Sequence, residues 1–346
     1  MSARLLEIAQ QTGFSVSTVS RVLHDHSNKY KISAATKALI RKAAEELGYR
    51  PNKLARGLRL NQTHEIGVIV PDISNPFFAT LVKSIAGELR KSGYSIFVYD
   101  ADENTAIEAE SIKILLEKKV DGLIIASVGQ EANHLKQIET AGVPWVMVDR
   151  CFDRLAVDAV SVDNFRGAYL ATQYLIREGH RLIAFIQGLS GTYVNEGRLQ
   201  GYKQALQESN LPLDERLIVG DDFRNYNGYL ETKLLLKLQE PPTAIFTAGD
   251  LIAMGALEAL KEDHYRVPQD VSLITFDDPS FATYLSPALT TVAQPVEKMG
   301  EMAVKLLFRR LRAPNGERRR ILLEPRLIVR DSVMRRSSLA LVRQAS

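Results

Sequence analysis

One cysteine in 346 residues, Cys151, leaves the chain unable to close a disulfide on itself. It equally excludes a structural zinc site built from several thiolates. No apolar run approaches the roughly 20 residues of a membrane span. The opening MSARLLEIAQQ lacks the hydrophobic stretch of a secretory signal. These absences predict a reduced, soluble, cytoplasmic protein with no membrane partner. Catalytic signatures are missing as well. Gly188-Leu189-Ser190-Gly191 continues with Thr192, so it is not the G-x-S-x-G nucleophile elbow. No G-x-G-x-x-G follows a strand pattern, and there is no P-loop. His64-Glu65 lacks the second histidine of H-E-x-x-H, and His24 and His26 read as surface residues without further ligands nearby. Asp277 and Asp278, adjacent after a strand pattern, point opposite ways and form no acid–base pair. No enzyme, no cofactor and no metal site is expected.

What is present is ordinary for a folded chain: 45 % hydrophobic and 25 % charged residues, in a length that suits two or three domains. The charge is unevenly placed. Residues 1–62 hold eleven Lys and Arg against four Asp and Glu, a surplus of seven in a chain whose total is +3, which leaves the other 284 residues at −4. A basic head on a mildly acidic body suits a polyanion partner, and equally a solvated basic face. Arg318-Arg319-Arg320 and Arg335-Arg336, near the C-terminus, are read as solvated loop and tail residues.

The head carries the pattern of a helix-turn-helix. Leu5, Leu6, Ile8 and Ala9 line one face of a short helix, Thr12-Gly13-Phe14 makes a tight turn, and Ser15 suits the N-cap of the next helix. In that helix Val19, Val22 and Leu23 face inward, while Val16, Ser17, Ser20, Arg21 and His24 face outward. Arg21 suits a bidentate contact to guanine, and Val16 and Ser17 suit base edges or a thymine methyl. Ser15, Thr18 and Ser20 suit phosphates. The same spacings also fit a helical hairpin that touches no DNA. Ser33 is the expected cap of a third helix, with Leu39, Ile40, Ala43, Ala44 and Leu47 inward and Gly48 at its end.

Residues 8–23 (IAQQTGFSVSTVSRVL) and 47–58 (LGYRPNKLARGL) resemble the head of LacI/GalR-family transcription regulators. The resemblance implies a hinge helix after Pro51-Asn52 that enters the minor groove, with Leu58 as a wedge between base pairs and Asn52, Lys53, Leu54 and Ala55 beside it. The segment Asp25–Lys31 is longer than the common family connection and resembles the fructose- and sucrose-repressor branches, with Lys29 and Lys31 in reach of phosphates.

From Glu65 onward β-branched runs alternate with helical patterns: 66–70, 96–99, 122–126, 146–148, 159–162, 182–186, 217–220, 244–247 and 271–276. This predicts βαβ units with parallel sheets, divided into two lobes. The expected organisation is a helix-turn-helix domain (1–50), a hinge helix and linker (51–63), a two-lobed α/β core (64–333) and a basic tail (334–346). The first lobe is expected to take 64–162 plus 293–323, and the second 163–292 plus 324–333. The whole resembles the family's periplasmic-binding-protein-like core.

In such folds the ligand sits at the carboxyl ends of the strands, between the lobes. The resemblance then points to Asn75, Phe77 and Phe78 in the P-D-x-x-N-P-F-F segment, to Asp149, to Arg198, to the aromatic Phe223, to Asp277 and to Gln294. Gly249 departs from the Asn or Ser usual there, and Asp250 is read as the cap of the following helix. The resemblance implies a regulator that binds double-stranded operator DNA as a homodimer, under control of a small-molecule effector. That effector is expected to be a sugar or sugar phosphate, with a purine-responsive regulator or a stand-alone sugar-binding protein as the alternatives. The residues after Val333 are too few for the heptads of a tetramerisation bundle.

Overall fold

The computed structural model describes residues 5–23, 30–49, 62–152 and 154–336. They divide into a head, up to Thr63, and a core from His64 onward. In the head, α1 (Leu5–Thr12), α2 (Val16–Leu23) and α3 (Ala34–Glu46) pack around Ile8, Val19, Val22, Ile40, Ala43 and Ala44. Ser15 Oγ accepts the Thr18 N–H at 3.2 Å and opens α2, and Ser33 Oγ accepts the Thr36 N–H at 3.1 Å and opens α3. Gly13 and Gly48 take left-handed φ of 71° and 60°, which lets the chain reverse after α1 and end α3. Two residues assigned inward are not: Leu6 is 56 % exposed and Leu39 50 %. In α1, only eight residues long, the buried stripe is Ile8 and Ala9, narrower than its four apolar positions suggest.

The core holds two six-stranded sheets. The first has the order β11-β5-β4-β3-β1-β2, from β1 (Glu65–Val70), β2 (Ser95–Asp100), β3 (Gly122–Ile125), β4 (Trp145–Val148), β5 (Asp158–Val162) and β11 (Arg320–Leu323), with all pairings parallel. The second has the order β12-β10-β9-β8-β6-β7, from β6 (Ile183–Ile186), β7 (Ile218–Val219), β8 (Ala244–Thr247), β9 (Ser272–Phe276), β10 (Thr290–Ala293) and β12 (Arg326–Ile328). Only the β10–β12 pairing is antiparallel. The inner strands β1, β3, β4, β5, β6, β8 and β9 are buried along nearly their whole length, as parallel sheets covered on both faces require, while the edge strands β2, β7, β11 and β12 are partly exposed.

The covering helices are α4 (Pro76–Lys91), α5 (Thr105–Glu117), α6 (Lys136–Ala141) and α11 (Val296–Arg312) for the first sheet. For the second they are α7 (Asn164–Arg177), α8 (Tyr193–Glu208), α9 (Asn225–Leu235) and α10 (Asp250–Glu262). The chain crosses between lobes three times, from β5 into α7, from β10 into α11 and from β11 into β12. Among the described residues no helix is long and apolar enough to cross a membrane.

The sequence pattern missed β10, β11 and β12. Arg320 is not a loop residue but the first residue of β11, and the Arg319 N–H donates to Asp158 Oδ1 at 2.8 Å. The last described residues also dock rather than trail. The Arg336 N–H donates to Glu178 O at 2.7 Å, and its guanidinium donates to Asp270 O at 2.6 Å.

Candidate functional site

The cleft side chains come from strand ends, where a parallel sheet leaves backbone groups and loops free to meet a ligand. Asn75 caps α4 by accepting the Phe77 N–H at 2.8 Å, and Pro76 follows at the first helical position. Phe77 and Phe78 are both buried, and both also face the cavity. Asp149 directly follows β4 and Asp277 directly follows β9. Each has a left-handed backbone, with φ of 63° and 72°. Such a conformation is uncommon for a residue with a side chain and marks a local strain that the surrounding structure must hold.

Arg198, on α8, is 3 % exposed. Its Nε donates to Asn164 Oδ1 at 2.8 Å, its Nη1 donates to Ala248 O, and its guanidinium lies 3.7 Å from the Phe276 ring centroid. Burial pushes its pKa down, while Asp277 and Asp149 oppose the shift. Arg150 forms a two-pronged pair with Glu103, both contacts at 2.7 Å, and its guanidinium lies 4.6 Å from the Phe223 ring. Phe223 rests on Gly188. A Cβ there would come within 2.2 Å of its ring, so glycine is required for the stack. Gln294, in the second crossover, donates to Asp277 Oδ1 at 2.6 Å. Arg224 reaches across from the second lobe and donates to Asp102 O at 3.1 Å.

The cavity between these residues is nearly closed, with about 20 Å³ of free space, room for about one water, and it is lined by all eight of the cleft residues named from the sequence. Asp278, by contrast, turns away to pair with Arg330 at 2.7 Å. Asp250 corrects the sequence reading. It is the first residue of α10 rather than its cap, the cap position being Gly249. Asp250 is 2 % exposed and lines the cavity, with Oδ1 accepting the Leu251 N–H and Oδ2 unpaired. The signal was available, since Asp250 lies just beyond β8 at the carboxyl edge of the sheet. Gly249 itself is extended, and a Cβ there would sit 3.6 Å from Phe223 and 3.9 Å from Asp277 Oδ2. The glycine therefore leaves open space where a side chain would fit. A larger open groove of about 930 Å³ runs past Gln130, Phe152, Phe165 and Glu196, but none of its described lining residues carries a buried unpaired polar atom.

Three buried atoms at the cavity lack a hydrogen-bond partner: Asp149 Oδ1, Asp250 Oδ2 and Gln294 Oε1. All three are acceptors. Burial pushes the Asp149 carboxyl up to about 6 despite the nearby Arg198 and Arg150, and raises Asp250 and Asp277 as well. A carboxyl raised on folding loses stabilising power as pH climbs from its unfolded value near 4 to its folded value, and the loss persists above that. Asp149→Asn is therefore expected to raise the melting temperature of the ligand-free protein at pH 8, with the gain shrinking toward pH 5. Melting curves at four pH values check this; a gain independent of pH would contradict the assignment to Asp149 ionisation.

In the head, Ser15, Val16, Ser17 and Arg21 are exposed, and Thr18 and Ser20 are half-buried. Ser15 Oγ lies 2.9 Å from both Ser17 Oγ and Thr18 Oγ1. His24, Asn52, Lys53, Ala55 and Leu58 lie outside the described residues.

Fold and site together define a class: a helix-turn-helix head joined to a two-lobed, ligand-cleft core. Residues 4–52 match the model for bacterial regulatory proteins of the lacI family, and residues 172–333 match that for a periplasmic binding protein-like domain. The HTH-type transcriptional repressor PurR of Photorhabdus laumondii is 36 % identical over 335 residues, 96 % of this chain and 97 % of that one. The structure of the transcriptional regulator CelR–cellobiose complex superposes with a TM-score of 0.73 at 32 % identity, over 95 % of this chain and 99 % of that one. The Lac repressor dimer bound to operator and the anti-inducer ONPF gives 0.85 at 26 %, over 96 % and 100 %. The chain belongs to the LacI family and is a DNA-binding transcriptional repressor. Its relatives are regulators, not enzymes.

Proposed function

We propose that operator binding is controlled by a small, neutral, hydroxyl-rich effector of the sugar class, held in the cleft, once the lobes part, by Asn75, Phe77, Phe78, Asp149, Arg198, Phe223, Asp250, Asp277 and Gln294. One observation carries this reading. Every unpaired buried atom at the cavity is an acceptor, and three carboxylates face Arg198, while Arg150 is already spoken for by Glu103. A ligand rich in O–H donors satisfies such a site, whereas a phosphate would meet the carboxylates. Phe223 offers an apolar face to one side of a sugar ring. The sugar-phosphate half of the sequence expectation is accordingly set aside.

A second reading, a purine base, is favoured by the PurR relatives and by the same ring, since a purine stacks on phenylalanine and brings N–H donors.

Ser15, Val16, Ser17, Thr18, Ser20 and Arg21 are proposed as the DNA-reading set, with Arg21 on a guanine. A homodimer is supported by an uncovered apolar stripe. Tyr226, Leu230 and Leu234 recur every fourth residue along α9 and are exposed, as is Met254 on α10, the helix packed against α9. Two reading helices on one two-fold axis match a pseudo-palindromic operator. The effector acts by binding one core state better than another, and so shifts operator affinity by that difference.

The test is a thermal-shift screen of the full chain against neutral sugars, sugar phosphates, nucleosides and purines. A true effector at about 100 times its dissociation constant is expected to add roughly 2.7 kcal/mol of stability. Stabilisation by neutral sugars supports the first reading and by purines alone the second. Stabilisation by sugar phosphates alone overturns the charge argument. Repeating operator binding with the hit then reads the sign of control.

A further inference from the structure

The connection between α2 and α3 ends in an arrangement that the DNA-reading role of α2 does not by itself explain. Tyr30 is a large aromatic left 49 % exposed, outside the apolar cluster of the head. The Arg21 guanidinium carbon lies 4.0 Å from its ring centroid. Directly after it, Lys31 takes a left-handed φ of 49°, uncommon for a residue with a side chain. Ile32 then packs against the head cluster, and Ser33 caps α3. Tyr30 thus stands two residues before the anchored Ile32, with its ring beside Arg21 of α2.

Arg21 stands one helical turn beyond Ser17, on the exposed side of α2. A free arginine there samples many rotamers, and fixing one for a two-pronged base contact costs ordering entropy at the moment of binding. Stacking on an aromatic ring uses the flat face of the guanidinium and leaves its N–H edge available. That edge is what a guanine O6/N7 pair requires.

We infer that Tyr30 is a positioning residue for sequence readout: its ring holds the Arg21 guanidinium in a preorganised plane, so that a residue just ahead of α3 tunes base discrimination without touching a base. The inference rests on the reading of Arg21 as a base-contacting residue. It needs the ring and not the hydroxyl. Exposed cation–aromatic contacts are worth about a two- to fivefold effect on an equilibrium, and the loss should fall on one base pair per half-site.

The experiment selects operators from random duplexes with the full-length protein and then measures affinity for every single-base change, for wild type, Arg21→Ala, Tyr30→Ala, Tyr30→Phe and the Arg21→Ala/Tyr30→Ala double variant. Arg21→Ala is expected to flatten preference at one base pair of each half-site. Tyr30→Ala should reduce preference at that same base pair about two- to fivefold, Tyr30→Phe should retain it, and the double variant should match Arg21→Ala alone. An even loss at all positions for Tyr30→Ala would make Tyr30 merely structural, and an unchanged preference would remove its role; either overturns the inference while Arg21 still reads its base. A loss in Tyr30→Phe equal to that in Tyr30→Ala would assign the effect to the hydroxyl and overturn it too. A sharper preference in Tyr30→Ala would show the stack restraining Arg21 from its base. If Arg21→Ala flattens no position, the reading of Arg21 fails first and takes this inference with it.

Discussion

Arg198→Ala is expected to weaken effector binding by roughly 10- to 150-fold, or about 1.5–3 kcal/mol, the range for losing a hydrogen bond between a charged side chain and a neutral ligand. Operator affinity of the effector-free protein should stay within about twofold, since Arg198 lies in the core and the helix-turn-helix in the head. The reasoning starts from what Arg198 holds. It donates to Asn164 at the first crossover and to Ala248 at the end of β8, and it is the guanidinium opposing Asp149 and Asp277. Without it, three buried carboxyl groups share a cavity with Arg150, which Glu103 already neutralises. Their pKa values should climb further, so the variant's stability deficit is expected to be larger at pH 8 than at pH 5.5. Arg198→Lys separates charge from geometry. It keeps the cation and should recover much of the stability, but it lacks the planar fork and should not recover effector affinity. Calorimetric titration with the hit from the ligand screen, and operator binding with and without it, read both effects. A variant that folds and still responds to the effector would place the effector elsewhere.

The lobes and cleft were legible because their signals are strong and local. Alternating β-branched runs and helical patterns marked β1–β9, and a ligand site in such a fold must lie at the strand ends. Asp149 and Asp277 follow β4 and β9 without an intervening residue, so finding the strand located the carboxylate. Asp250 was misread because an acidic residue opening a helix is more often a cap than a ligand contact, and only the packed structure shows Oδ2 buried without a partner. The short strands β10, β11 and β12 carry little pattern of their own. β11 has the burial of an edge strand, with Arg320 and Leu322 exposed, and its place is set by pairing with β5 across more than 150 residues of sequence. Tyr30 was likewise invisible, since nothing in the spacing of a loop residue says that its ring will return to Arg21.

The basic stretch near the C-terminus hides the other large effect. Asp158→Ala is expected to cost about 3–5 kcal/mol, the usual range for leaving one half of a buried ion pair unpaired. In a core of this size that corresponds to a fall of roughly 6–20 °C in melting temperature. Asp158 is fully buried at the start of β5, and Arg310 on α11 is 2 % exposed. Asp158 Oδ2 accepts from Arg310 Nε at 2.8 Å and from Nη2 at 2.6 Å, while Oδ1 accepts the Arg319 N–H. Arg310 spends its remaining donors on the carbonyls of Pro314, Gly316 and Glu317. One carboxylate therefore ties α11, the loop after it and the approach to β11, the strand that leads into the third crossover. Its loss leaves a buried guanidinium and loosens a connection between the lobes, so the transition should also broaden. Adding Arg310→Met to Asp158→Ala removes the stranded charge and is expected to recover about half of the loss, the remainder reflecting the Arg319 N–H left without its acceptor. Arg318→Ala, at an exposed neighbour, should change the melting temperature by no more than about 1–2 °C. If Asp158→Ala melts with Arg318→Ala, the pair contributes nothing net and the loop is held by its carbonyl contacts alone.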